Sequence, residues 1–100
     1  MKNIRLVKYG ADWCHGCKVM DKILGKVLPD FEGSLEYNKV DMDALSEEDR
    51  DAVKARYGKT IPILALIGEN DKGEDVLLGS QIGAKSISNT ASFLRESLPG

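Results

Sequence analysis

The segment Cys14-His15-Gly16-Cys17 constrains the fold of this chain most, because it holds both cysteines and follows a stretch typical of a buried strand. In a helix that begins at the first cysteine, positions 14 and 17 lie about one turn apart, so the sulfurs can reach bonding distance. Cys14 would then lie at the helix N-terminus, where free backbone N–H groups and the helix dipole favour a thiolate. The spacing predicts a pair of thiols that forms a disulfide reversibly.

Three other interpretations of the cysteine pair fit less well. A structural zinc site needs about four ligands, and besides the cysteines the chain has one histidine, His15, which a helix would direct elsewhere. A permanent disulfide across so short a loop would constrain the unfolded chain little. Two unrelated buried cysteines would leave the adjacent Trp13 and the strand-to-helix context unexplained. We therefore predict a redox-active dithiol and no metal site.

Length and charge limit the remaining functions. One hundred residues with 42% apolar content suffice for one core, so we predict a single domain over residues 1–100. The net charge is -2 and basic residues are dispersed among acidic ones, which indicates neither a nucleic-acid nor a membrane surface. The first eight residues lack the apolar core of a signal peptide, and no apolar run approaches transmembrane length. We expect a monomeric cytoplasmic protein, where a dithiol is more often catalytic than structural.

Apolar periodicity predicts strands and helices in the order β-α-β-α-β-β-α. Strands are predicted at residues 4–9, 35–40, 61–67 and 76–78. Helices are predicted from Cys14 to about Leu28, from Ser46 to near Gly58, and after Ser86 or Ser88. The last helix is predicted to carry Ile87, Ala91, Leu94 and Leu98 on one face. The predicted class is α/β, with a four-stranded mixed sheet flanked by three helices.

Charged residues between and on these elements are interpreted as solvent-exposed. Asp41 and Asp43 follow the second predicted strand and are interpreted as loop acids, with a cation site as the less favoured alternative. Arg50, Lys54 and Arg56 are interpreted as a solvated face of the second helix. None of these residues is predicted to take part in the chemistry.

The segment from Tyr9 to Lys18 resembles the active-site segment of the thioredoxin superfamily, with Trp13 directly before the first cysteine. Thr60-Ile61-Pro62 falls where the superfamily has its cis-proline loop, and Gly83 matches the glycine after its last strand. The resemblance implies a minimal thioredoxin fold with a cis peptide bond before Pro62.

The same resemblance assigns roles to the two cysteines. Cys14 is implied to be the exposed nucleophile that attacks substrate disulfides, and Cys17, one turn inside the helix, to resolve the mixed disulfide. Thr60, Ile61, Pro62 and Gly83 are implied to form the binding site, where Ile61 and Pro62 offer backbone to an extended substrate.

Several features depart from the superfamily pattern. Thirteen residues precede Cys14, so the chain is similar to the shorter, glutaredoxin-sized form of the fold. Thr60-Ile61-Pro62 approximates the Thr-Val-Pro of glutaredoxins, whereas residues 82–86 do not reproduce their Gly-Gly-acid signature for glutathione. Gly16 replaces the proline usual in thioredoxin, which frees the backbone between the sulfurs.

Two positive side chains are candidates for tuning the thiols. Lys8 occupies the place where thioredoxin carries a buried carboxylate that helps to deprotonate the resolving cysteine. Two interpretations stay open: its ammonium reaches the sulfurs and favours thiolate, or it snorkels to solvent through an incompletely covered sheet face. His15, when protonated, is close enough in sequence to stabilise the Cys14 thiolate, and an exposed histidine with little effect is the alternative.

The predicted function is a thiol-disulfide oxidoreductase that works as a cytoplasmic dithiol reductase or electron carrier. Its expected substrates are disulfide-containing proteins, and its expected electron donor is either a thioredoxin-reductase-like enzyme or glutathione. No bound organic cofactor is expected, because the electrons reside on the cysteine pair. The alternatives are a glutathione-dependent, glutaredoxin-like enzyme and an interaction subunit without essential redox activity.

Overall fold

Four strands and three α-helices follow one another in the predicted order in a computed structural model that describes residues 1–100. The elements are β1 (Lys2–Gly10), α1 (His15–Val27), β2 (Glu36–Asp41), α2 (Glu47–Tyr57), β3 (Ile63–Glu69), β4 (Asp75–Ile82) and α3 (Ile87–Ser97). Two 3-10 turns that the sequence did not indicate, Leu28–Phe31 and Met42–Ala44, follow α1 and β2. The α/β class and the element order are confirmed. No helix combines the length and apolar character that a membrane span needs.

The four strands form one mixed sheet in the order β2-β1-β3-β4. β1 and β2 are parallel, whereas β1 with β3 and β3 with β4 are antiparallel. The register pairs Tyr9 of β1 with Ile63 of β3, and Ile63 with Ile82 of β4. The end of β1, the start of β3 and the end of β4 therefore meet at one edge of the sheet, and the cysteine segment, Pro62 and Gly83 lie just beyond it.

One face of the sheet carries the main core, beneath α1 and α3. This core contains Leu6, Met20, Leu24, Val27, Phe31, Leu64, Leu66 and Leu94. Helix α3 lies so close to β4 that a Cβ atom at Gly79 would collide with Ser97 Oγ and lie 3.1 Å from Phe93 Cε1. Burial of apolar surface on this face is the main stabilising contribution to the fold.

The opposite face is covered more thinly. It buries Val7, Ala65 and Ile67, but α2, the helix on this side, has no buried residue. The ring of its Tyr57 lies 5.7 Å from that of Tyr9 in β1. An ion pair of 2.8 Å between Arg5 and Asp75 joins β1 to β4 across the same face. Side chains of the sheet thus cover part of this face themselves.

Side-chain caps define where two of the helices begin. Ser46 Oγ accepts the N–H of Asp49 at 3.1 Å, as predicted for the start of α2. Ser86 Oγ accepts the N–H of Asn89 at 3.0 Å, which selects Ser86 over Ser88 as the start of α3. On the predicted apolar face of α3, the first residue, Ile87, is exposed, and the helix reaches the core one turn later, at Thr90.

Two strand limits also differ from the prediction. β3 begins at Ile63, so Pro62 lies before the ladder and no strand hydrogen bond is lost at the proline. β4 is longer than residues 76–78, because its pairing with β3 continues to Ile82 through a shift of register between Leu66 and Ile67. Pairing with a buried neighbour extends this strand beyond its apolar residues.

Candidate active site

A disulfide between Cys14 and Cys17 lies where β1 passes into α1, with 5.2 Å between the Cα atoms. Cys14 is the N-cap residue of the helix, and its N–H donates to Ala11 O at 3.1 Å. Its Sγ accepts the N–H of Cys17 at 3.2 Å. After reduction, this N–H and the helix dipole would both stabilise negative charge on the Cys14 sulfur.

Both cysteines are largely buried in the oxidised protein. Cys14 is 7% exposed and Cys17 is 2% exposed, and Ala11 and Ile61 pack around them. The expectation of an openly exposed Cys14 is therefore wrong for this state, because the Ile61 carbonyl oxygen lies only 3.8 Å from Cys14 Sγ. Cys14 is nevertheless the more accessible of the two cysteines.

The segment before β3 closes over the first turn of α1. The Ile61–Pro62 peptide bond is cis, as the resemblance implied. Pro62 is buried, and its Cδ lies 3.3 Å from the place that a Cβ atom would take at Gly16. Glycine at position 16 therefore lets the helix approach the proline closely. Thr60 is exposed and Ile61 is half-buried, so this loop also has a solvent-facing edge.

Gly83 fixes the same loop from the other side. Its N–H donates to Pro62 O at 2.8 Å, and its φ of +83° is a backbone conformation that favours glycine. The structure thus brings Gly83, Pro62 and the cysteine pair together, although nearly fifty residues separate Cys14 from Pro62 in the sequence.

Lys8 is buried beneath α1 and forms an ion pair with Asp21. The snorkelling interpretation is wrong, because Lys8 is 4% exposed and faces the helix-covered side of the sheet. Its aliphatic chain lies beside Cys17: a Cβ atom at Gly10 would be 3.4 Å from Lys8 Cε and 3.0 Å from Cys17 Sγ. The lysine therefore approaches the inner cysteine, with its charge balanced by a carboxylate.

Asp21 is the site residue that sequence reasoning missed. Burial raises its pKa, but hydrogen bonds and charges from Lys8 and from Lys39, at 3.5 Å, outweigh burial and hold the pKa below the ordinary value of 3.8. Asp21 therefore stays ionised at neutral pH. Cys17, Lys8, Asp21 and Lys39 all line one cavity of about 350 Å³. The available signal was spacing, since Asp21 lies one helical turn after Cys17.

Trp13 and His15, on either side of Cys14, both reach solvent. Trp13 is 70% exposed, and its Nε1 donates to Asp43 Oδ2 at 2.8 Å. Asp43 is therefore not simply a solvated loop acid, and Asp41 caps the same turn by accepting the N–H of Asp43 at 2.9 Å. His15 is the first residue of α1 and is exposed. No group of three or more His, Cys, Asp or Glu side chains is arranged to hold a metal ion.

Comparison with known proteins agrees with this geometry. The sequence model of the Thioredoxin family matches residues 1–94. The chain belongs to the thioredoxin family. It is 33% identical over 90 residues to thioredoxin of Pseudomonas aeruginosa, a match that covers 89% of this chain and 74% of that protein. It is 28% identical over 92 residues to thioredoxin of Haemophilus influenzae, covering 91% of this chain and 77% of that one.

Solved thioredoxin structures share the fold. Trichomonas vaginalis thioredoxin superposes with a TM-score of 0.70 at 24% identity, covering 92% of this chain and 78% of that one. Mitochondrial thioredoxin 3 of Saccharomyces cerevisiae superposes with a TM-score of 0.67 at 24% identity, covering 95% and 80%. The fold is therefore a minimal thioredoxin fold.

Family membership together with the Cys14–Cys17 pair establishes a thiol-disulfide oxidoreductase. Thioredoxins act on protein disulfides, depend on a reductase partner and carry their electrons on the cysteine pair without a prosthetic group.

Proposed function

We propose that this chain is a dithiol reductase in which Cys14 is the nucleophile and Cys17 the resolving residue. The observation that carries this assignment is the position of Cys14 as the helix N-cap, where its Sγ accepts the N–H of Cys17, together with its being the less buried of the two cysteines. A thiolate at a helix N-terminus is stabilised by that N–H and by the helix dipole.

The reaction proceeds through one mixed disulfide. The Cys14 thiolate attacks a sulfur of the substrate disulfide, so that a Cys14–substrate bond forms and the first substrate thiolate leaves. The Cys17 thiolate then attacks Cys14 Sγ, which restores the Cys14–Cys17 disulfide and releases the second substrate thiolate. The substrate gains two electrons and the protein loses two. A reductase of the thioredoxin-reductase type, or glutathione, returns them.

Two charged groups support different steps of this scheme. His15 flanks Cys14 at the start of α1, and its protonated form favours the attacking thiolate. Lys8 lies on the Cys17 side of the site, so we assign its influence to the second thiolate, with Asp21 holding the ammonium in place. Substrate backbone binds along Ile61 and Pro62, next to the exposed Trp13.

Trapping experiments test the cysteine roles. Cys14→Ser should abolish reduction of insulin disulfides, whereas Cys17→Ser should accumulate a stable mixed disulfide with the substrate. With limiting alkylating reagent, the reduced wild-type protein should be labelled first at Cys14. Preferential labelling of Cys17 would contradict the assignment.

The redox potential tests the direction of electron flow. Equilibration of the cysteine pair with a series of glutathione buffers measures it directly. A value near roughly -270 mV is typical of a reductase, whereas a value near roughly -120 mV is that of an oxidant. We expect the former, and the latter would overturn the reductase proposal while leaving the disulfide chemistry intact.

We further propose that the protein works in the cytoplasm. Both cysteines belong to the active-site pair, so no thiol serves a structural disulfide of the kind common in oxidising compartments. Acid quenching of cells followed by alkylation should find Cys14 and Cys17 mostly reduced in the cytosolic fraction. Recovery of the protein in another fraction, or mostly as the disulfide, would contradict this location and role.

A further inference from the structure

A groove with a volume of about 300 Å³ opens beside the disulfide, next to α2. Two of its lining residues, Trp13 and Ile61, flank the attacking sulfur: Trp13 directly precedes Cys14, and Ile61 O lies 3.8 Å from Cys14 Sγ. A substrate chain that lies along Ile61 with its sulfur at Cys14 therefore places the residues next to its cysteine over this groove.

The charge of the groove is opposite to that of the whole chain. Arg50, Lys54 and Lys59 line it together with a single acid, Asp43, which leaves three positive charges against one negative. The chain as a whole has a net charge of -2. Asp43 already accepts a hydrogen bond from Trp13. The four ion pairs of the structure involve none of the three basic residues, so each of them is free to pair with a substrate carboxylate.

Arg50 is held in position by hydrogen bonds, whereas the two lysines are exposed. The guanidinium of Arg50 donates to Met42 O at 3.1 Å and to Leu45 O at 3.0 Å. Lys54 follows one turn later on the same helix, and both Lys54 and Lys59 are exposed. One hydrogen-bonded cation with two exposed cations beside it offers positive charge to the carboxylates of a peptide that lies over the groove.

We propose that this groove selects protein substrates that carry acidic residues next to the reactive disulfide. The proposal rests on the reductase function above and names the class of substrate for the same site. Charges at an exposed groove act mainly on the rate of encounter, and salt weakens them. Selection should therefore appear in the second-order rate constant for reduction and should disappear at high ionic strength.

A pair of peptide disulfides tests the proposal. The peptides are identical except that the residues flanking the cysteine are glutamates in one and lysines in the other. Each rate with the pre-reduced protein is divided by the rate with dithiothreitol, which corrects for the intrinsic reactivity of the peptide. The variant Lys54→Gln/Lys59→Gln removes the exposed charges of the groove. The control Lys26→Gln/Lys72→Gln removes as much charge from the last turn of α1 and from the turn between β3 and β4.

The wild type and the control should reduce the glutamate peptide about tenfold faster than the lysine peptide at low salt. In the groove variant, and in about 0.5 M salt, the ratio should fall below about twofold. Equal rates in the wild type, faster reduction of the lysine peptide, or an equal loss of preference in both variants would overturn the inference while leaving the reductase function standing. Failure to reduce either peptide would overturn the reductase function and the inference with it.

Discussion

At the scale of single residues, the Lys8–Asp21 pair combines a buried ammonium with a partly exposed carboxylate. Lys8 is 4% exposed and the Asp21 side chain 40%. Asp21→Asn would leave the lysine charge buried without a counter-charge, so we expect the free energy of unfolding to fall by about 1–3 kcal/mol in urea titrations. Lys8→Met/Asp21→Asn should recover most of the loss. An Asp21→Asn protein as stable as the wild type would show that solvent in the adjoining cavity supports the Lys8 ammonium without the carboxylate.

The Lys8–Asp21 pair should also make the free energy of unfolding depend on pH in the acidic range. The pKa of Asp21 in the folded protein lies below its ordinary value of 3.8, because Lys8 and Lys39 outweigh the effect of burial. A lowered folded-state pKa stabilises the protein above about pH 4, and this stabilisation is lost as the pH falls through the folded pKa. Unfolding measured between about pH 5 and 2 should therefore show a shallower acid limb in Lys8→Met than in the wild type. The exposed-site variant Lys26→Met should keep the wild-type slope.

Gly10 lies so close to Cys17 Sγ that a side chain at this position should cause steric conflict. A Cβ atom there would lie 3.0 Å from Cys17 Sγ and 3.3 Å from Cys17 Cβ, so Gly10→Ala must displace Cys17 or the end of β1. We expect a loss of about 1–3 kcal/mol in unfolding free energy, with slower disulfide reduction. Gly25→Ala is the matched control: no atom lies within 4 Å of its added methyl group, and helix propensity should make it neutral or stabilising by up to about 1 kcal/mol.

Sequence reasoning found the chemistry-bearing residues more readily than their partners. Cys14, Cys17 and Pro62 stand in motifs that are contiguous in the chain. Asp21 was missed because its role depends on Lys8, and a strand residue meets a helix residue only once it is known which helix covers which face. Arg50 was interpreted as solvated for the same reason, since its partners are backbone carbonyls of a turn that residue types did not indicate.

At the scale of elements, α2 is the helix held least by burial. It has no buried residue, and Arg50 ties it to the preceding turn through two carbonyl oxygens. Arg50→Met should therefore speed amide hydrogen exchange in α2 while the β1 and β3 amides keep their protection. Lys54→Met, one turn along and exposed, is the control. Equal exchange in both variants would mean that the contact of Tyr57 with the sheet holds the helix without the arginine.

The limits of the helices and of the buried strands were predicted to within a few residues. The length of the edge strand β4 and the exposure of Ile87 were not predicted. α1 has an apolar stripe and a proline beyond its end, and β3 has a continuous apolar run, so local signals define both. The length of β4 depends on pairing with β3, and the exposure of Ile87 depends on where α3 meets the sheet. Such limits are set by tertiary contacts, which a single sequence does not display.

At the scale of the whole molecule, the disulfide contributes little to the stability of the fold. It joins residues three positions apart. Closing so short a loop removes little conformational entropy from the unfolded chain, which raises the free energy of unfolding by only about 2 kcal/mol. Urea unfolding should therefore give free energies for the oxidised and reduced proteins that differ by no more than about that amount. A much larger difference would mean that reduction changes packing beyond the cysteine segment.

The hydrogen bond between Gly83 and Pro62 affects how the substrate-binding loop can change in sequence. The bond from the Gly83 N–H to Pro62 O joins backbone to backbone, so exchanging side chains at other positions of the loop removes neither of its two atoms. Its neighbours Thr60 and Lys59 are exposed and free to vary. Natural mutation or a randomised library can therefore change the side chains that this loop presents to a substrate, one at a time, while the loop backbone keeps its position.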